Sequence, residues 1–366
     1  MRVLFLTKYT SNGPSSRYRV VQFLPFLEAQ GIAWDLHALH DDGYLTARYA
    51  GRSMSPLYLA RRAASRLGAL AGSRRYDLVF IQKELFPHLI DLPEWLLARL
   101  GTRYVVDIDD AIHLTYENAG GWRRALRGKI PRVLAGASLV LAGNRYLEAY
   151  ARRFTPRVLH FPTVVDTGRF SVAPPRSLSS PPVVGWIGTP ETVRYLNTMA
   201  PVLEAAARRT PVSVLVVGAA APVLRGVPSR AKAWREAEEV DDLHAMDLGL
   251  MPLADDEWSR GKCSLKLLQY MSAGIPAITS PRGSAPDIVT DGESGLIART
   301  DDEWLERIVL LATSAERRRA MAERARRAVE EHYSLAVWGP RFADVLRAAA
   351  AGTDPAPRAD TVTRHA

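Results

Sequence analysis

The sequence predicts an α/β protein made of two doubly wound domains, and three observations carry that reading. First, the chain opens on a short apolar run, Arg2–Leu6, then a turn-rich loop, Thr10–Ser16, a helical stretch and a second strand, Ala33–Leu39. That β-loop-α-β order begins a doubly wound parallel sheet. Second, the same order restarts at Val183–Ile187 and Gly188. Third, a Pro- and Ser-rich stretch, 173–182, stands between the two runs, as a domain boundary should. A chain of 366 residues with 47% hydrophobic content can fill two cores of ordinary size.

Composition narrows the function classes. The single cysteine, Cys263, excludes an internal disulfide and a cysteine-rich metal site, fits a reducing compartment, and reads as a small packed residue. The opening MRVLFLTKYT has too short an apolar run for a secretory signal and reads as a first strand. No apolar stretch reaches the roughly 18–20 residues of a membrane span. The formal charge of +9 suits nucleic acid, an anionic membrane surface or an anionic nucleotide, or else solvated helix faces such as Ala315–Glu331. No zinc-finger or RNP signature accompanies it, so nucleic acid is not expected as a partner.

In the first half, Ser16 is placed to cap a helix Arg17–Gln30 with Val20, Val21, Phe23, Leu24 and Leu27 at helical spacing, kinked at Pro25 and ended by Gly31. Gly13, Arg17 and Arg19 lie at the loop after the first strand, where doubly wound sheets bind ligands. The two arginines either contact an anionic acceptor or phosphate or lie solvated in a first turn. Ser55–Ala71 reads as a helix with Arg61, Arg62 and Arg66 on one side, suited to an anionic membrane surface or to an ordinary surface position. Leu78–Gln82 and Tyr104–Ile108 are further strands. The second runs into Asp107, Asp109 and Asp110, a D-x-D that would suit a metal in another sheet architecture. Asn144 caps Arg145–Phe154, and Val158–Phe161 closes the domain, with His160 read as structural.

In the second half, the strand Val183–Ile187 leads into Gly188, Thr189 and then Arg194, a strand-glycine-helix arrangement that can cradle phosphate. Arg194 is either a phosphate ligand or an exposed helix residue. Asp256–Gly274 (DEWSRGKCSLKLLQYMSAG) is the most informative stretch. Leu265, Leu267, Leu268 and Met271 mark a helix that Gly274 and Pro276 stop. A helix N-terminus offers unpaired N–H groups and partial positive charge, so with Lys262 and Lys266 it suits a diphosphate. Gln269 lies about two turns beyond Lys262 on the same face.

Trp258–Pro276 resembles the donor-binding segment of family 4 glycosyltransferases, in the variant W-S-R-G-K-C-x-x-K-L-L-Q-Y-M-A-A-G-x-P. Against the usual E-G-F-G-x-x-x-x-E-A-M-A-x-G-x-P-V-V-A, Gly261 and Gln269 stand where the two glutamates should be. Pro162–Phe170 is similar to the family's P-N-G-V-D-x-x-x-F, Asp247–Leu253 to D-V-G-V-M-P-L, and Gly283–Leu296 to G-G-x-x-E-V-V-x-D-G-x-x-G-L. In the family's G-R-L-x-x-x-K-G, Thr189 replaces the arginine and Arg194 falls at the lysine.

The resemblance implies the GT-B fold: two Rossmann-like domains facing a central cleft, with a C-terminal helix crossing back. The domains would be 1–165, a linker 166–182, a donor domain 183–333, a crossover helix 334–350 and a disordered tail 351–366. It implies retaining, metal-independent sugar transfer from a nucleoside-diphosphate sugar to a hydroxyl of a glycan, lipid-linked or natural-product acceptor, with no cofactor required. Asp109 and Asp110 would stand near the family's histidine-aspartate pair as catalytic candidates, or else cap and bind loop amides. Gly188, Thr189, Arg194, Lys262, Ser264, Lys266 and Gln269 would bind the donor, and Gly13, Arg17 and Arg19 the acceptor side. The expected location is cytoplasmic, with peripheral contact at the inner membrane face. A nucleotide-sugar epimerase or hydrolase and a non-catalytic binding protein of the same fold are the alternatives.

Overall fold

A computed structural model describes residues 1–172 and 181–355. The expected linker therefore lies outside the described residues at 173–180, and the expected tail does so from 356 onward. The chain forms two compact α/β units. One comprises Met1–Thr163, Arg260–Cys263 and the helical residues from Trp338; the other comprises Val164–Ser259 and Ser264–Val337.

The first unit holds a six-stranded parallel sheet of order β2-β1-β3-β4-β5-β6. Its strands are β1 (Arg2–Thr7), β2 (Ala33–Ala38), β3 (Leu78–Gln82), β4 (Tyr104–Ile108), β5 (Leu139–Ala142) and β6 (Val158–His160). The second unit repeats the plan as β12-β11-β10-β7-β8-β9. There the strands are β7 (Val183–Ile187), β8 (Ser213–Val217), β9 (Ser229–Lys232), β10 (Leu248–Met251), β11 (Ala277–Thr279) and β12 (Leu296–Ile297). The central strands read as near-continuous apolar runs, broken in β4 by Asp107, because helices cover both faces of such sheets. This is the GT-B class of α/β architecture expected from the sequence.

The strand orders decide where ligands can bind. β1 pairs with β2 and β3, and β7 pairs with β8 and β10, so each sheet reverses its winding at its first strand. The crevice at the carboxyl ends of such a pair is where open α/β sheets take ligands. In the first unit the loops after β1, β3 and β4 open there, and in the second unit the loops after β7 and β10.

Two local expectations are corrected. The helix expected over 17–30 is three pieces: Pro14–Arg19, a 3-10 turn Val21–Phe23 and Leu24–Ala29. Proline is tolerated in a first helical turn and not in an interior. Pro14 and Pro25 each occupy a first turn, so the chain restarts its helix rather than kinking it. Gly13, not Ser16, is the N-cap; Ser16 is buried, with its hydroxyl donating to Gln82 Oε1 at 2.8 Å. In the helix Pro56–Ala71, Ser55 accepts from the Tyr58 amide as N-cap. Its three arginines do not all share a side. Arg62 donates to the Leu39 and Ala38 carbonyls, and buried Arg66 donates to the Thr7 and His37 carbonyls, whereas Arg61 is exposed.

The last helix, Leu335–Ala351, ends in the first unit's core. Its Phe342 ring lies 4.8 Å from Phe23, 5.2 Å from Phe161 and 5.8 Å from Phe80. Truncating a buried phenylalanine removes its transfer free energy and leaves a cavity. Phe342→Ala is therefore expected to destabilise the protein by about 3–5 kcal/mol in urea titration. A loss under about 1 kcal/mol would show that this helix does not complete the core.

Candidate functional site

In the first unit, β4 delivers three carboxylates to the sheet's carboxyl edge, and each meets a different set of partners. Asp107 is fully buried and accepts from Arg19, whose Nε lies 3.0 and 3.2 Å from its two oxygens. The Arg19 Nη2 also pairs with Asp107, and Nη1 donates to the Phe161 carbonyl at 2.8 Å. Asp109 accepts from the Ser15 hydroxyl and pairs with Lys83 at 3.0 Å. Asp110 pairs with Lys83 at 2.7 Å and with Lys262 at 2.8 Å.

Lys83, immediately after β3, has φ 66°, a left-handed backbone that a lysine rarely adopts. Such strain persists where surrounding contacts over-determine it, and here two ion pairs hold the side chain. Burial works against ionising these groups. Even so, Asp109 and Asp110 hold the Lys83 ammonium above the ordinary lysine range. Likewise, Lys262 and Lys83 hold the Asp110 carboxyl well below the usual carboxylate range.

Lys262 was expected beside Lys266, at the helix N-terminus. Arg260–Cys263 instead belongs to the first unit. The Asn144 side chain donates to the Arg260 and Lys262 carbonyls at 3.0 and 3.1 Å, and the Cys263 thiol donates to the Asp109 carbonyl at 3.3 Å. A Cβ at Gly261 would stand 2.6 Å from the Ala111 amide nitrogen, so no glutamate fits there. Arg17 and Arg19 are buried, contrary to a solvated first turn. Arg17 braces the preceding loop by donating to the Ser11 carbonyl at 2.9 Å, and Arg19 is committed to Asp107. Gly13 caps the short helix that carries both.

In the second unit, the helix Leu265–Ser272 is clipped to the sheet by buried Tyr270, whose hydroxyl accepts from the Ile187 amide and donates to the Leu250 carbonyl. That places the helix N-terminus by the carboxyl end of β7. Ser264 precedes the helix with φ 53°, and its buried hydroxyl oxygen has no hydrogen-bond partner among the described residues. Lys266 places its ammonium 4.3 Å from the Trp186 ring centre and 3.3 Å from Thr192 Oγ1. Gly188 closes the arrangement, since a Cβ there would meet Trp186 at 2.4 Å and Lys266 Nζ at 2.8 Å. The Thr189 amide donates to Thr192 Oγ1 at 3.1 Å, turning the chain into the next short helix.

Gly188, Thr189, Ser264 and Lys266 therefore come together. Arg194 is exposed and stacks on Tyr195, 4.9 Å from the ring centre. Gln269 is buried and donates to Glu239 Oε1 at 3.0 Å. Glu239 also accepts from Trp234 and Arg169, at 2.9 and 2.8 Å.

Sequence reasoning missed Lys83, Ser15, Gln82, Thr192, Trp186 and Glu239. Lys83 was legible as a residue at a strand's carboxyl end; Glu239 carried no signal, because only folding brings it to Gln269, 30 positions away.

Residues 181–314 match the family model described as "Glycosyl transferases group 1". A segment of 68 residues is 35% identical to spore coat protein SA of Bacillus subtilis, spanning 18% of this chain and 18% of that protein. Among solved structures, sucrose-phosphate synthase from Thermosynechococcus elongatus superposes with TM-score 0.69 at 14% identity, covering 96% of this chain and 100% of that one. HepE of Anabaena, solved with UDP and glucose, gives 0.68 at 14%, covering 95% and 99%. A glycosyltransferase from Rickettsia africae gives 0.69 at 9%, covering 95% and 98%. At these identities the likeness is one of fold.

The depressed Asp110 carboxyl has a consequence for stability. A folded-state pKa below the unfolded one stabilises above the unfolded value, and that contribution is lost as pH falls through the folded value. Wild type should exceed Asp110→Asn by about 2 kcal/mol at neutral pH. The gap should shrink steadily below about pH 4. Denaturation titrations across that range test this, and a gap unchanged by acid would remove the ion pairs as its cause.

Proposed function

We propose that this protein is a retaining glycosyltransferase that moves a sugar from a nucleoside-diphosphate sugar to an acceptor hydroxyl without a metal ion. The observation that supports this best is the second unit's cradle. A helix N-terminus, the unpartnered Ser264 hydroxyl and Lys266 converge beside a glycine that keeps the approach open. Helix N-termini bind phosphate through free amides and the helix dipole, and a lysine adds a full charge. A diphosphate leaving group develops negative charge as the glycosidic bond breaks. Groups fixed where that charge appears lower the barrier.

The cradle lies within the stretch matched by the group 1 family model. The likeness to HepE, solved with UDP and glucose, makes a UDP-sugar the first donor to try. The acceptor falls to the first unit, where Asp109 and Asp110 stand at the carboxyl end of β4 as candidates to orient its hydroxyl. Gln269, held on Glu239, braces the helix from behind in this reading. Retention by a front-face route needs no enzyme nucleophile, and none is proposed.

One observation favours a second reading, nucleotide-sugar binding without transfer: the site lacks both family glutamates, and Gly261 has no room for one. Thermal shift with a panel of nucleoside diphosphates, with and without EDTA, separates the readings together with turnover. The proposal expects stabilisation by one base class, insensitive to EDTA, and sugar transfer. Lys266→Ala should weaken binding and slow transfer by roughly 10²–10³. Stabilisation without turnover on any acceptor would favour binding alone. A Lys266→Ala variant that binds diphosphate as tightly as wild type would sink the donor site, and a shift requiring a divalent ion would sink metal independence.

A further inference from the structure

Two neighbouring helices of the first unit turn apolar residues outward. The strands β2, β3 and β4 follow one another in one direction across the sheet, so right-handed crossovers put the helices Pro56–Ala71 and Leu92–Arg99 on the same face. Buried Arg66 on the first lies within electrostatic reach of buried Glu94 on the second. The second helix buries Leu97 and one carboxylate and leaves its other leucines and its tryptophan outside. Its carboxylate, Glu94, faces inward and accepts from the Leu85 amide at 2.9 Å. Leu92, Trp95, Leu96 and Leu100, at helical spacing, face solvent. Together with Leu57 and Leu67 on the first helix they are 46–69% exposed.

The exposed charge of the segment carrying the first helix is basic. Gly43–Tyr76 contains seven arginines and no Asp or Glu; Arg62 and buried Arg66 turn inward, and Arg48, Arg52, Arg61, Arg74 and Arg75 are exposed. On the second helix Arg99 is exposed, 5.2 Å from the Trp95 ring centre, while Asp91 is buried and paired with Arg132. A protein partner would need an apolar patch ringed by carboxylates. An anionic bilayer offers both properties over a broad surface, and an outward Trp beside an arginine suits the headgroup boundary. No helix among the described residues is long and apolar enough to cross a membrane.

We propose that this face docks the first unit on an anionic lipid surface, with Trp95 and Leu96 entering the headgroup boundary and Arg61 and Arg99 on lipid phosphates. The test is flotation of the full chain with vesicles of phosphatidylcholine, with or without phosphatidylglycerol. Binding to the anionic vesicles is expected. It should weaken at least about tenfold in Trp95→Glu/Leu96→Glu, and by less in Arg99→Glu. Val223→Glu, an exposed apolar position in the second unit, should bind as wild type. Unchanged melting temperatures establish folding, and Arg99→Glu serves if the double variant fails to fold. Absent binding to anionic vesicles would overturn the proposal, as would equal binding by the double variant. So would a dimer in sedimentation that these substitutions dissolve while vesicles are ignored, which would make the face a contact between two copies. None of these readouts depends on sugar transfer.

Discussion

The first unit is organised around the buried ion pair of Arg19 and Asp107. Taking two charges out of water costs several kcal/mol each, and the interior returns this only with close geometry and satisfied hydrogen bonds. Arg19 meets those conditions by contacting both Asp107 oxygens and the Phe161 carbonyl. The pair thereby ties the helix after β1 to β4 and to the residue after β6. Asp109 and Asp110 follow two and three positions later, so their placement depends on an anchor that never meets solvent.

Charge accounting distinguishes the two units. At the first unit's edge, Asp107, Asp109 and Asp110 face Arg19, Lys83 and Lys262, three carboxylates against three cations. Such a network holds itself in place, and Lys83 adopts an uncommon backbone to complete it. The second unit's cradle is of another kind. A helix terminus, a hydroxyl with no hydrogen-bond partner among the described residues and a lysine resting on Trp186 and Thr192 meet there, with no carboxylate among these contacts.

The departures from the family pattern also acquire physical meaning. Gly261 is not a glutamate trimmed away in an otherwise open site, because Ala111 occupies the volume a side chain would need. Gln269 keeps a polar atom at the family's second glutamate position, but its amide donates to Glu239, itself held by Arg169 and Trp234. A carboxylate is still present in this region, supplied from another helix and paired with Arg169.

Much of the fold was legible in the sequence, because strand and helix periodicities are local and the β-loop-α-β order admits few topologies. The apolar runs of β1, β3, β4 and β7, the Asn144 cap and the helix at Leu265 could be read from neighbours in the chain. The helix after β1 was misread because two prolines each start a helix, and spacing alone cannot tell a restart from a kink. The site was legible as residue types and not as partnerships. Lys262 and Lys266 stand four apart on one apparent helical face, yet the helix begins only at Leu265. Left-handed Ser264 separates them, so that one lysine meets Asp110 and the other Thr192. Burial likewise excludes the solvated alternative for Arg17 and Arg19. Sequence determines which charges exist and which segments carry them. Only the packed tertiary structure decides which charges pair, because pairing depends on desolvation and distance between segments far apart in the chain.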